Sequence, residues 1–179
     1  QGFIGRDECT LYLDTSGAPL YQRGFRQKTV DAPLKENLAA GILRLSGWQP
    51  GVVLLDPMCG SGTFLLEAAQ IALGRAPGTG RDFAFQRLRH FDADLWQGLL
   101  AGARAGEHSA ADGGIFGGDI SPAAVRAALA NLDRAGLLPV VRLSTGDLLD
   151  SEAPAEHGIM VSNPPYGERV SDHEQLARF

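Results

Sequence analysis

Val52-Val53-Leu54-Leu55-Asp56-Pro57-Met58-Cys59-Gly60-Ser61-Gly62-Thr63 is the stretch on which the fold turns. Four apolar residues in unbroken succession fit a strand buried on both faces, which is the habit of parallel sheets. The glycines that follow permit a tight turn and close approach of a ligand to the backbone. Thr63-Phe64-Leu65-Leu66-Glu67-Ala68-Ala69-Gln70-Ile71-Ala72-Leu73 then reads as a helix closed by Gly74. The unit is strand, glycine loop, helix.

The same alternation continues outward. Upstream, Asp31-Ala32-Pro33-Leu34 resembles a capped helix start, and Leu34, Leu38, Ile42 and Leu45 recur at helical spacing until Gly47. Earlier still, Cys9 to Leu13 and Leu20 to Phe25 alternate polar and apolar about Ser16-Gly17, which predicts a β-hairpin. A lone hairpin is marginal in water and calls for a supporting domain. Downstream, about 40 residues separate Gly74 from Ile115, where a plain connection needs roughly 2 to 6. Within them Asp92 to Arg104 reads as an extra helix. Ile115 to Asp119, Val140 to Leu143 and Gly158 to Val161 read as further strands, with a helix between Ser121 and Gly136. Strands alternating with helices give a doubly wound, Rossmann-like α/β parallel sheet. At Phe179 the chain has delivered about four strands, roughly the first half of such a fold.

Composition agrees with an ordinary globular domain: 179 residues, 44% hydrophobic and 21% charged. No apolar run approaches the roughly 20 residues that span a bilayer. The start, Gln1-Gly2-Phe3-Ile4, is neither a signal peptide nor an initiator Met, so a piece of a longer protein is expected. Cys9 and Cys59 form no metal-ligand spacing, no metal is expected, and a reduced cytoplasmic protein fits. The net charge of -5 argues against tight nucleic-acid binding by this segment alone. Two basic clusters break that balance: Arg23, Arg26 and Lys28, then Arg75, Arg81, Arg87, Arg89 and His90. Each is either a solvated patch or a set of phosphate contacts.

In open parallel sheets, ligands sit beyond the carboxyl ends of the strands. Asp56, Asp119, Asp147 and Asn163 each fall at such an end, one per strand. The loop Cys59-Gly60-Ser61-Gly62 is neither the dinucleotide pattern nor a P-loop. It opens a helix whose N-terminal amides favour an anion, here the carboxylate of a methionine moiety. Asp119 can accept the hydroxyls of a ribose, and Asp147 can take an adenine amino group. Taken singly each is equally a cap or turn former; jointly they favour a ligand. Cys59 reads as a small spacer rather than a nucleophile.

The apolar run Gly158 to Ser162 ends in Asn163-Pro164-Pro165-Tyr166. The Asn163 amide oxygen and the Pro164 carbonyl offer two acceptors for a planar amino group, and the Tyr166 ring offers a stacking face worth roughly 1–3 kcal/mol. With the glycine loop about a hundred residues earlier, this points to methyl transfer from S-adenosylmethionine to an amino nitrogen. Alignment matters more than a strong base in such a displacement. The candidate catalytic set is Asn163, Pro164, Pro165 and Tyr166. The candidate cofactor contacts are Asp56, Pro57, Cys59, Gly60, Ser61, Gly62, Thr63, Asp119, Ile120, Asp147, Leu148 and Asn163.

Asp56 to Thr63 together with Asn163-Pro164-Pro165-Tyr166-Gly167-Glu168-Arg169-Val170 resembles the THUMP-associated RNA methylases of the UPF0020 type. Within them it is similar to the bacterial large-subunit ribosomal RNA guanine-N2-methyltransferases. Leu20 to Arg26 and Ala32 to Ala40 also resemble that family's junction between THUMP and catalytic domains. The resemblance implies S-adenosylmethionine as cofactor, a ribosomal RNA guanine as substrate, and an RNA grip supplied by a THUMP domain. Residues 1–30 would then be a hairpin and linker, and 31–179 the first part of the methyltransferase domain. The missing last strands put activity in isolation in doubt. Asn-Pro-Pro-Tyr also serves adenine-N6 methylases of DNA and glutamine-N5 methylases of proteins, though Gly167-Glu168-Arg169 favours the RNA guanine group. A non-catalytic RNA-binding or assembly module is the alternative from another class.

Overall fold

The structure is a computed structural model and describes residues 1–21, 34–109 and 112–164. The chain opens with an antiparallel hairpin, β1 (Gly2–Gly5) and β2 (Glu8–Leu11), registered Gly2 to Leu11 and Gly5 to Glu8. The expected hairpin is present, but displaced toward the N-terminus. Its turn is Arg6-Asp7, both left-handed at φ 46° and 63°, the backbone that matches the twist of a two-residue hairpin turn. Ser16-Gly17 forms a separate turn, in which the Asp14 carboxylate accepts from both amides at 2.8 and 3.2 Å. The second strand expected at Leu20 to Phe25 does not form at Leu20-Tyr21, which are a turn, and residues 22–25 lie outside the described residues.

Helix α1 (Glu36–Leu45) follows, with Lys35 before its first turn and no side-chain cap. The expected start at Asp31-Ala32-Pro33 lies outside the described residues. The buried stripe of α1 is Glu36, Ala39 and Leu43, with Ile42 and the preceding Leu34 partly buried, while Leu38 and Leu45 are 52% and 90% exposed. The buried face is thus turned from the predicted one. Ala39 and Leu43 join the core cluster that also holds α2, the helix against which α1 packs.

Strand β3 (Leu54–Asp56) leads through the glycine loop into α2 (Thr63–Ala72). Every residue of α2 but Ile71 is buried, since α1 covers one side and the sheet the other. The long connection holds a 3-10 turn (Ala84–Arg87) and α3 (Ala93–Ala105), whose N-cap is Asp92. Then come β4 (Ile115–Asp119), α4 (Pro122–Arg134), β5 (Val141–Thr145) and β6 (Ile159–Met160). Both α2 and α4 stop in the same way. Gly74 and Gly136 each sit at φ 64°, and the next amide reaches back to Gln70 and Leu132, each at 2.9 Å.

The sheet order is β5-β4-β3-β6, all parallel. This is the Rossmann-like doubly wound arrangement expected from the alternation. Helices α2 and α4 touch each other and both touch β4, so they share one face. Leu43, Leu54, Leu65, Leu66, Ile115, Leu132 and Leu137 are all fully buried there, each contributing roughly 1.5–3 kcal/mol of transfer free energy. Gly117 marks the tightest contact. A Cβ there would lie 2.4 Å from Leu65 Cδ1 and 2.8 Å from Leu143 Cδ2. No described helix is long and apolar enough to cross a membrane.

Candidate active site

After β3 the chain adds β4 and β5 on one side, then returns to place β6 on the other. The crevice beyond the ends of β3 and β6 is therefore the topological switch point, where such sheets bind ligands. Asp56 closes β3 and Asp119 closes β4, while Asp147 and Asn163 lie just past β5 and β6. Register fixes them to one rim. Asp56 pairs with Gly117, Asp119 with Thr145, the Gly146 amide donates to the Asp119 carbonyl at 3.2 Å, and the Val161 amide donates to the Leu55 carbonyl at 2.9 Å.

The loop from Pro57 to Gly62 is held from four directions. The Cys59 amide donates to the Gly118 carbonyl at 2.8 Å, and the Gly60 amide donates to Asp119 Oδ2 at 2.9 Å. From behind, Asn131 Nδ2 on α4 donates to the Ser61 carbonyl at 3.1 Å. Gly62 sits at φ 84°, and a Cβ there would lie 3.1 Å from Ala128 Cβ, so only glycine suits both the backbone and the helix contact. Gly62 is also the N-cap of α2, and no side chain caps that helix. Pro57, Ser61 and Thr63 are buried in the loop's packing.

Asp56 does not face the rim openly. It is 1% exposed, with Met58 N 3.4 Å from its Oδ1. Burial pushes its carboxyl up to about 7, the Asp119 charge adds to the rise, and the Met58 amide opposes it. The raised value means that the folded state holds this proton more tightly than the unfolded chain. Asp56 thus favours folding below the ordinary carboxylate range, and that contribution is lost as pH rises through about 7. An Asp56→Asn variant removes the term. It is expected to flatten the decline of urea stability between pH 4 and 8 by on the order of 4 kcal/mol. Identical pH slopes for the variant and the parent would rule this out.

Cys59 is 6% exposed, and burial pushes its thiol up to about 12. It is a packed spacer, not a thiolate. Asp119 is half-buried and divides its carboxylate: Oδ2 serves Gly60, and Oδ1 accepts from the Ser121 amide at 2.9 Å. Ser121 in turn caps α4. Ile120 beside it is 69% exposed. Asp147 Oδ1 accepts from the Leu149 amide at 3.0 Å, starting a short turn at Leu148. Asn163 and Pro164 are exposed past β6. Pro165, Tyr166 and Gly167-Glu168-Arg169 lie outside the described residues, as do Arg23, Arg26 and Lys28.

Asn131 and Gly118 were absent from the sequence-based candidates. Asn131 carried a readable signal. It is a polar residue on the face of α4 that otherwise buries Ala124, Val125, Ala128 and Leu132, and it is 0% exposed. Its Oδ1 accepts from Arg134 Nη1 at 3.3 Å, which fixes which way the amide points. Two of the basic residues proved structural. Arg75 donates to the Ala135 carbonyl at 2.9 Å and Arg81 to the Ser16 carbonyl at 2.9 Å.

The family described as UPF0020: RMKL-like, methyltransferase domain, matches residues 23–179. The chain belongs to that family. This is the family that the two motifs resembled. Ribosomal RNA large subunit methyltransferase K/L of Psychromonas ingrahamii is 43% identical over 175 residues, covering 94% of this chain and 23% of that protein. The crystal structure of SMU.472 complexed with S-adenosylhomocysteine superposes with a TM-score of 0.82 at 40% identity, over 91% of this chain and 42% of that one. A protein of Listeria monocytogenes described as a predicted N6-adenine-specific DNA methylase matches with a TM-score of 0.81 at 35% identity, over 92% of this chain and 43% of that one. The chain spans 23% to 46% of the length of three curated relatives it matches.

Proposed function

We propose that this chain is part of an S-adenosylmethionine-dependent RNA methyltransferase that modifies the exocyclic N2 of a guanine in large-subunit ribosomal RNA. The observation that carries the reading is the placement of Asn163-Pro164 at the switch point, one strand away from the glycine loop. Residues 31–179 act as the first part of the methyltransferase domain, and 1–30 as a hairpin and linker from a THUMP-type domain.

The residues at the rim suit this cofactor. Each Asp119 oxygen holds one backbone amide and keeps a second lone pair, which is what a ribose hydroxyl requires. The start of α2 has no side-chain cap and no acidic residue in its first turn, so its amides suit a carboxylate. Asp147 adds an acceptor at the adenine end. Bound S-adenosylmethionine supplies an electrophilic methyl group on a sulfonium. The chain's own work is alignment. Asn163 Oδ1 and the Pro164 carbonyl accept the two amine hydrogens and turn the nitrogen lone pair out of conjugation. Asn163 is neutral and cannot keep a proton, so the proton passes to solvent.

SMU.472 with S-adenosylhomocysteine bound and the ribosomal RNA methyltransferase K/L relative support the cofactor and the RNA class. The Listeria relative favours one rival, adenine N6 of DNA. Tritium transfer from labelled cofactor by the full-length protein separates them. Label is expected in unmodified ribosomal RNA, at guanine N2, and not in DNA or a release factor. Label in DNA adenine alone would transfer the assignment to the rival.

A further inference from the structure

The long connection between α2 and β4 is an anchored platform rather than a loose loop. The Phe85 amide donates to the Thr15 carbonyl at 2.9 Å, and Arg81 reaches the Ser16 and Ala18 carbonyls while lying 4.6 Å over the Phe83 ring. At its other end the His108 amide donates to the Leu73 carbonyl at 2.8 Å. On this platform Phe85 meets Trp96 edge-on at 5.1 Å, and Phe91 lies 6.0 Å from Phe85. These rings do not close into a core, for no residue of α3 is buried. They line a groove of about 640 Å³ with Leu88, Leu95 and Leu99, a volume typical of ligand sites.

What borders the groove sets it apart from an ordinary apolar patch. Arg89 and His90 line it and Arg87 is adjacent, all exposed. Among the described residues these three make no side-chain hydrogen bond or ion pair, unlike Arg75 and Arg81. Asp92 is the one acid lining the groove, and its Oδ1 is taken by the Leu95 amide at 2.9 Å. In a chain of net charge -5, two uncommitted arginines and a histidine around aromatic rings form a local exception.

We propose that this groove binds unstacked bases of a single-stranded RNA segment, with Arg87, Arg89 and His90 on its phosphates. Rings with adjacent cations are the usual means of holding single strands, because every base has a face to stack and every nucleotide a charge. The inference rests on the RNA reading above and adds a second RNA-contacting surface to it, on the connection rather than on the strand ends.

The test uses the full-length protein and a single-stranded oligonucleotide copied from its methylated RNA, read by fluorescence anisotropy across a salt series. Arg87→Ala with Arg89→Ala is expected to lower the slope of log affinity against log salt by roughly 0.7 per lost contact. Phe91→Ala is expected to weaken binding about tenfold. Leu95→Glu, at a side chain 62% exposed, places a negative charge on the rim without disturbing packing and is expected to act in the same direction. Unchanged affinity and slope in these variants would overturn the groove. So would unchanged RNA binding with a shift in oligomeric state or domain contacts, which would make the groove a protein interface. If the protein methylates RNA while the variants bind normally, the groove fails and the function stands. If RNA binds through the groove but is never methylated, the function fails and the groove stands.

Discussion

Replacing Asn163 by alanine in the full-length protein will lower methyl transfer to RNA by at least about 100-fold and leave S-adenosylmethionine affinity within a few fold. The side chain is exposed beyond β6, so its loss costs little folding energy. What is lost is an acceptor that sets the direction of the attacking nitrogen. Misplacing a reacting atom by about 1 Å is enough for a 100-fold loss, and a single positioned polar group in an active site is commonly worth 100- to 1000-fold. Asn163→Asp keeps an acceptor oxygen at the same place and should recover part of the rate. Single-turnover rates with labelled cofactor, together with calorimetric cofactor binding, check both statements. Full methylation by the alanine variant would remove Asn163 from the chemistry and leave a non-catalytic RNA-binding module as the better account.

The parts of the fold that followed from the sequence are those where one local signal dominates. The strand Ile115 to Asp119 and the helices after Gly62 and Ser121 have apolar positions, caps and stop glycines that agree with one another, whereas of the run Val52 to Leu55 only Leu54 and Leu55 join β3, Val52 being 40% exposed. The hairpin was misplaced because its real turn, Arg6-Asp7, has none of the usual glycine or asparagine markers. Two left-handed non-glycine residues are visible only in the backbone. The face of α1 was misjudged because Leu38 and Leu45 dominate the pattern, whereas the residues buried in the core are Ala39 and Leu43.

For the site, strand-end position alone identified Asp119, Asp147 and Asn163 as rim residues. It could not tell that Asp56 is buried, since burial depends on tertiary packing around the strand end. Nor could it divide the arginines. Arg75 and Arg81 turn to backbone carbonyls while Arg87 and Arg89 stay free among the described residues, a distinction made by contacts with residues about 60 positions away. The aromatic groove was hidden for a local reason. Phe85, Phe91 and Trp96 lie within twelve residues but share no helix or strand period, and the 3-10 turn and the start of α3 bring their rings together.

The second large effect is expected at Asp119. Its two oxygens accept from Gly60 and Ser121, each at 2.9 Å, so one carboxylate ties the glycine loop to the start of α4. Hydrogen bonds to a charged group are worth roughly 1.5–3 kcal/mol each. Asp119→Ala removes both acceptors and should cost about 3 kcal/mol of stability in urea unfolding. It also removes the proposed ribose contact and frees the Gly60 amide to move. The affinity for S-adenosylmethionine should therefore fall about 100-fold, equivalent to roughly 2.7 kcal/mol. Asp119→Asn separates the two roles. Its oxygen can still accept one amide, but its NH2 faces the other, so roughly half the stability should return while ribose binding stays impaired. Cofactor affinity within threefold of the parent in Asp119→Ala would mean that the carboxylate only builds the loop. Full stability with lost affinity would mean the opposite, because the two amide bonds could not then be holding the loop in place.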